Sequence, residues 1–285
     1  MNRTVYVNGE YVAEQEASIS IFDRGFLFAD AVYEVTAVLE GKLVDNAGHL
    51  ARLERSCSEL GVKMPVTGAQ LTEIQRSLIK KNNLTEGGVY LQLTRGNEGD
   101  RDFSYSDDIE PTLVMFTQQR ALIESKPAKE GIKILSMDDM RWRRRDIKTT
   151  SLLPACLAKH IAHQAGCDDV WLIENGYITE GGSSNAYIVT QDDKIVTRPL
   201  SKDILHGITR ASLLKLAEDC QLEVEERPFT IAEAYQAKEA FVSSATTFIW
   251  PVTSIDGHTI GTGKPGAIAA KLRDIYIRTA LELAE

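Results

Sequence analysis

The chain has 285 residues, a formal net charge of −9, 43% hydrophobic and 26% charged residues, ordinary globular usage that allows one large domain or two of usual size. The acidic balance disfavours a nucleic-acid partner, whose nonspecific binding needs a basic face. No run approaches the ~20 apolar residues that span a bilayer, the start MNRTVYVNGEYV has no targeting pattern, and the four scattered cysteines lack CxxC spacing, so a cytoplasmic chain of reduced thiols with no membrane segment and no metal is expected.

VYVNGEYV (5–12) predicts a hairpin turning at Asn8-Gly9, a pair that tolerates positive φ. VYEVTAVLEGKLV (32–44) predicts a second, turning at Glu40-Gly41. The stretch 46–61 then places Leu50, Leu53, Cys57 and Leu60 on one helical face, and Leu71, Ile74, Leu78 and Ile79 mark another helix. GVYLQLTRG (88–96) and PTLVMFT (111–117) read as strands around the polar loop NEGDRDFSYSDDIE. These elements make a small α/β domain over 1–120, and the polar stretch 121–129, with Pro127, is the expected interdomain linker.

A larger domain is expected over 130–285. GIKILSM (131–137) and DVWLIENGYITEGGSSNAYIV (169–189) read as strands, the latter a hairpin at Asn175-Gly176. LLPACLAKHIAHQAG, GITRASLLKLAEDC, TIAEAYQA and GAIAAKLRDIYIRTALELA read as helices. The architecture is therefore α+β in two domains.

Three stretches carry possible chemistry. In RWRRRDIKTTSLL (141–153), Lys148 follows a strand by a short loop and precedes an apolar helix, where a side chain can point into an interdomain cleft. A partly buried lysine loses solvation of its charged form and becomes available for Schiff-base chemistry, although a solvated surface lysine is the commoner outcome. ITEGGSSNAYIV (178–189) places Glu180 at a strand end before two glycines, two serines and Asn185, which a bulge or tight crossing would also explain. ILHGITRASLLKL (204–216) opens a helix at Gly207-Ile208-Thr209, where free N–H groups favour a phosphate, or simply an ordinary N-terminus. His160 and His163 read as a helix surface, and the arginines 143–145 as members of local ion pairs.

Taken with DRGFLFADAVYEV (23–35), HLARLERS (49–56), TEGGSSN (179–185), HGITR (206–210) and FVSSATTFIWPV (241–252), these stretches run in one family's order over nearly the whole chain. The sequence resembles the fold type IV pyridoxal-phosphate enzymes, the group of D-amino-acid and branched-chain aminotransferases. The resemblance implies that Lys148 holds pyridoxal 5'-phosphate as a Schiff base and shuttles the substrate proton, and that Glu180 faces the pyridine nitrogen. Arg52, Ile208, Thr209, Ala245 and Thr246 would bind the phosphate. Leu205 would pack on the ring, Ser183, Ser184 and Asn185 would support Glu180 and the cofactor edge, and Arg141 would support the strand approaching Lys148.

VYEV and the spacing of TRGNEGDRDF look most like the D-amino-acid enzymes, with Tyr33 and Arg101 toward the substrate carboxylate. Two positions depart from that pattern: Phe103 stands where a histidine is usual, and Ala37 where a basic residue is usual. The resemblance thus implies transamination of D-amino acids and 2-oxo acids, in a homodimer with residues of both chains around the cofactor. (R)-amine or branched-chain aminotransferases and aminodeoxychorismate lyases of the same fold are the alternatives.

Overall fold

In the computed structural model, which describes residues 3–285, Asn8 and Gly9 take φ of 45° and 103°, the paired positive values that close a tight hairpin. Met1 and Asn2, at the head of the start read for targeting, lie outside the described residues. The hairpin joins β1 (Thr4–Val7) to β2 (Glu10–Ala13). Then follow α1 (Arg24–Phe28), β3 (Ala31–Leu39), β4 (Lys42–Leu43), α2 (Asn46–Leu60), α3 (Gly68–Lys81), β5 (Glu86–Thr94) and β6 (Thr112–Gln119). The six strands form one antiparallel sheet in the order β2-β1-β6-β5-β3-β4.

Alternation along β3 buries Val32, Glu34 and Thr36 and leaves Tyr33 and Val35 half-buried, the period-two pattern of a sheet covered on one face. On the covered face Val32, Leu91, Leu93 and Met115 pack with Leu50, Leu53 and Cys57 of α2 and Leu71 and Leu78 of α3. Each fully buried leucine of this core contributes on the order of 2 kcal/mol. The α3 start is fixed by a capping box between Thr67 and Gln70.

The chain divides into two compact units, and the division differs from the expected one. The first unit holds the residues up to Ala121 together with Ile147–Ser151 and Leu283–Glu285. Lys148 therefore belongs to the first unit, not to the continuous second domain that the sequence led us to expect. The cause is nonlocal: Ile147, 3% exposed, enters the first core, and Thr149 bridges Val32 of β3.

The second unit, Leu122–Asp146 with Leu152–Glu282, is built on nine strands. Its elements are α4 (Lys126–Glu130), β7 (Ile132–Asp138), α5 (Leu153–Gln164), β8 (Asp169–Glu174), β9 (Tyr177–Gly181), β10 (Asn185–Val189), β11 (Ile195–Thr197), α6 (Ile208–Asp219), β12 (Val224–Glu226), α7 (Ile231–Tyr235), β13 (Glu239–Ser244), β14 (Phe248–Ile255), β15 (His258–Thr259) and α8 (Ala267–Leu283). The sheet order is β12-β11-β10-β13-β14-β7-β8-β9, with β15 on β14, and it mixes parallel pairs such as β7 with β8 and antiparallel pairs such as β10 with β13. The stretch expected as a linker is part of this unit, because Arg273 of α8 donates to the carbonyls of Leu122 and Ile123 and α4 follows. An α+β architecture results. Among the described residues no helix is long and apolar enough to cross a membrane.

Candidate active site

Lys148 is held by its backbone. Its carbonyl accepts from the Tyr33 N–H at 3.0 Å, its N–H donates to Ser56 Oγ at 3.4 Å, and Thr150 N–H donates to the Ala31 carbonyl at 3.0 Å. The segment is thus laid along the end of β3. The half-buried side chain places Nζ 4.1 Å from the centre of the Tyr33 ring. Among the described residues no carboxylate pairs with that amine, which leaves its lone pair free for chemistry once deprotonated. Tyr33 stacks in turn on Tyr90, and Tyr90 on Phe116, at 5.7 and 4.7 Å.

Arg52, 8% exposed on α2, is gripped by Glu34 of β3: Nε donates to Oε1 at 2.7 Å and Nη2 to Oε2 at 2.8 Å. His49, one helical turn earlier, places Nδ1 2.8 Å from Glu34 Oε2. Burial alone would raise the Glu34 carboxyl, but the Arg52 charge and the hydrogen bonds of Arg52 and His49 outweigh it and hold it at about 2. A folded value below the unfolded one means that this stabilisation is complete above pH ~4.5 and is lost as the pH falls toward ~2. Glu34→Gln is expected to lower stability at pH 7 by about 3 kcal/mol, since it strands a buried guanidinium. The deficit should shrink by about 1 kcal/mol at pH ~3.5. Urea unfolding at the two pH values measures both, and an equal deficit would contradict the assignment.

In the second unit Glu180, 3% exposed at the end of β9, is the centre of a hydrogen-bond network. Arg141 Nη1 donates to Oε1 at 2.6 Å, while Asn185 Nδ2 and the Leu205 N–H each donate to Oε2 at 3.1 Å. Asp139 orients Arg141 from behind at 2.7 Å. Burial pushes the Glu180 carboxyl above its ordinary value, and Arg141 and the Leu205 N–H oppose that push. The sequence reading gave Arg141 to the strand before Lys148; the structure gives it to Glu180 and Asp139.

Gly181 and Gly182 serve close approach, since a Cβ on Gly181 would lie 2.3 Å from Ser184 Oγ and one on Gly182 2.9 Å from Val170 Cγ1. Ser183 is exposed and Ser184 is buried beside Gly181, so of the three residues expected to support Glu180 only Asn185 bonds to it. Asn185 also donates to the Leu205 carbonyl at 3.0 Å, which fixes Leu205 beside the carboxylate.

Helix α6 begins next to this network. A Cβ on Gly207 would lie 2.1 Å from Asn185 Oδ1, so only glycine lets the helix start here. The first N–H groups of a helix lack intrahelical partners, and the Thr209 hydroxyl is buried with no hydrogen-bond partner. Ala245 and Thr246 lie in the turn between β13 and β14, half-buried, in a loop closed by Ser244 Oγ and Thr247 Oγ1 at 2.9 Å. Arg273 supports that turn by donating to the Thr247 and Ile249 carbonyls.

Arg101 lies in the exposed loop after β5, its guanidinium over the rings of Phe28 and Phe103 at 4.9 and 5.1 Å. Ala37, by contrast, is buried in β3. Arg144 forms the expected local pair, with Asp146 at 3.0 Å, whereas Arg145 pairs with Glu174, 29 residues on, at 2.8 Å. His160 and His163 are exposed on α5.

The family model for class IV amino-transferases matches residues 31–255, which include Tyr33, Arg52, Lys148, Glu180 and the α6 start. The chain belongs to the class IV aminotransferases. It is 38% identical to the D-alanine aminotransferase of Bacillus licheniformis over 281 residues, 98% of this chain and 95% of that protein. Identity to the D-alanine aminotransferase of Staphylococcus epidermidis is 36% over 273 residues, 94% and 95% of the two chains. The fold is also that of the branched-chain amino acid aminotransferase of Escherichia coli, with a TM-score of 0.91 at 22% identity over 98% of this chain and 95% of that one.

Within this class IV aminotransferase, sequence reasoning missed Glu34, His49 and Asp139. Their partners are distant in the chain or, for Asp139, were assigned elsewhere. His49 and Arg52 at i, i+3 on an amphipathic helix form a visible polar pair on one face, and Glu34 sits in the period-two register of buried β3 positions. A carboxylate at a core position calls for a buried cation. That was the available signal.

Proposed function

We propose that the protein is a D-amino-acid aminotransferase that moves the amino group of a donor such as D-alanine to a 2-oxo acid in two half-reactions, with pyridoxal 5'-phosphate as cofactor. The observation that carries this reading is the end-to-end likeness to D-alanine aminotransferases, 38% identity over 98% of the chain.

The cofactor fits the residues present. Its phosphate would suit the unpartnered Thr209 hydroxyl and the N–H groups of Ile208 and Thr209 in the first turn of α6, with Arg52 and the Ala245-Thr246 turn as further ligands. Its ring nitrogen would meet the Glu180 carboxylate, which Arg141, Asn185 and the Leu205 N–H hold in place. Leu205, fixed beside Glu180, would cover the ring. When bound, pyridoxal phosphate supplies an electron sink for the negative charge that develops on the substrate α-carbon.

The protein's own residues do the rest. Lys148 Nζ would hold the cofactor and would serve as the base that takes the proton from the substrate α-carbon. Glu180 would hold the proton on the ring nitrogen, and Arg141 and Asn185 aim its carboxylate. Tyr33 and Arg101 orient the substrate carboxylate. A cytoplasmic homodimer, with both chains around the cofactor, completes the reading; sedimentation measures the oligomer.

A donor screen on the purified holoenzyme tests it. Much faster transfer from D-alanine than from L-leucine or 1-phenylethylamine, which need react only slowly, supports the reading; the reverse order of donors selects a branched-chain or (R)-amine enzyme. Glu180→Gln is expected to retain the cofactor colour and slow proton removal about tenfold, because only the ring's electron demand has changed. Single-turnover rates with protonated and α-deuterated D-alanine read that step, and an unchanged rate removes Glu180 from its role.

A further inference from the structure

The loop from Asn97 to Asp108 is exposed at every residue and buries no side chain within those bounds, its one ring-on-ring contact being Phe103 on Phe28 at 5.5 Å. Such a segment opens cheaply unless polar contacts hold it. One side chain outside the loop supplies three of them. Arg24 of α1, 7% exposed, donates from Nη1 to the Asp102 carbonyl at 2.7 Å and the Ser104 carbonyl at 3.2 Å, and from Nη2 to the Phe103 carbonyl at 3.2 Å. These are the three residues that directly follow Arg101.

The clamp is itself braced. Arg24 Nε and Arg95 Nε share Asp30 Oδ2 at 3.0 and 2.7 Å, and the two guanidiniums lie 4.8 and 4.0 Å from the centre of the Tyr105 ring. The Arg24 N–H donates to the Gly96 carbonyl at 2.8 Å, which ties α1 to the root of the same loop. Phe28 is a shared platform, 4.7 Å from Arg24 and 4.9 Å from Arg101. Arg24 and Arg101 line one cavity of about 240 Å³. A planar fork with five donors can gather three successive carbonyls and still keep its carboxylate; an ammonium cannot.

We infer that Arg24 is a positioning residue that fixes the Arg101 loop and so sets the preference for donors that carry a carboxylate. The inference rests on Arg101 as the carboxylate clamp of the proposed function. Arg24 touches no substrate; it acts through the three carbonyls.

The test uses the holoenzyme and the variants Arg24→Lys, Arg24→Met and Arg101→Ala. Arg24→Lys keeps the pair with Asp30, and thereby the fold, while losing the fork. Hydrogen–deuterium exchange over 97–108 should accelerate about tenfold in both Arg24 variants. KM for D-alanine should rise about tenfold with kcat nearly unchanged, whereas single-turnover rates with 1-phenylethylamine should change little. Unchanged exchange, or a loosened loop with an unchanged KM while Arg101→Ala loses D-alanine turnover, overturns the role of Arg24. If Arg101→Ala also loses nothing, the failure lies in the carboxylate clamp, and the selectivity role of Arg24 falls with it.

Discussion

Lys148→Ala is expected to abolish transamination, with kcat lower by on the order of 10⁴-fold, because in the proposed function one amine would both anchor the cofactor and move the α-proton. The size follows from the two duties: loss of a general acid–base alone costs about 10² to 10⁴, and here the covalent anchor goes with it. The substitution should leave the fold intact. The segment is held by the backbone of Lys148, by buried Ile147 and by the Thr149 bridge to Val32, none of which the side chain supplies. What the fold loses is the contact of Nζ with the Tyr33 ring, worth about 1 kcal/mol. Turnover measured beside the urea midpoint separates the two effects. Near wild-type turnover in a folded variant would sink the assignment of Lys148, and a variant unfolded at pH 7 would contradict the backbone account.

The legibility of this chain follows the range of the forces involved. The turns at Asn8-Gly9, Glu40-Gly41 and Asn175-Gly176 were readable because asparagine and glycine tolerate positive φ, and all six residues adopt it, Glu40 beside a glycine that does so readily. The helical faces of α2 and α3 were readable because Leu50, Leu53, Cys57, Leu71 and Leu78 repeat at helical spacing. The strands β11 and β13 gave no alternation, since IVT is buried throughout and EAFVSS almost throughout, so a periodicity argument could not find them. Where Lys148 belongs was not legible either. The chain on either side of its short segment belongs to the second unit, and its backbone bonds to Tyr33 and Ser56, with the contacts of Ile147 and Thr149, reach residues about a hundred positions earlier and place it in the first. Arg141 shows the same limit, as its carboxylate partner Glu180 lies 39 residues away across three strand boundaries. The motif residues could be named from resemblance, but the charge partners that aim them came only with tertiary contacts.

Arg101→Ala is expected to cost kcat/KM for D-alanine on the order of 2 to 4 kcal/mol, about 30- to 1,000-fold, the range for removing one partner of a desolvated charge pair. An amine with no carboxylate should lose far less. The structure bears on this in two ways. The Arg101 guanidinium rests on Phe28 and Phe103 and, among the described residues, no carboxylate pairs with it, so its donors are open to a substrate. Phe103, 76% exposed, stands where the D-amino-acid enzymes usually carry a histidine, and its ring takes the place of a second donor with a platform under the first. Arg95, the nearest alternative in sequence, is already committed: it donates to Asp30 and to the carbonyls of Leu60 and Gly61. Removing it would break a buried pair and loosen the fold, whereas removing Arg101 should leave stability unchanged within about 0.5 kcal/mol, as for an exposed side chain away from the core. The decisive measurement is kcat/KM for D-alanine and for 1-phenylethylamine on the same Arg101→Ala preparation. A loss confined to D-alanine places the carboxylate on Arg101, while equal losses, or none, place it on other groups and reopen the choice between a D-amino-acid and an (R)-amine enzyme.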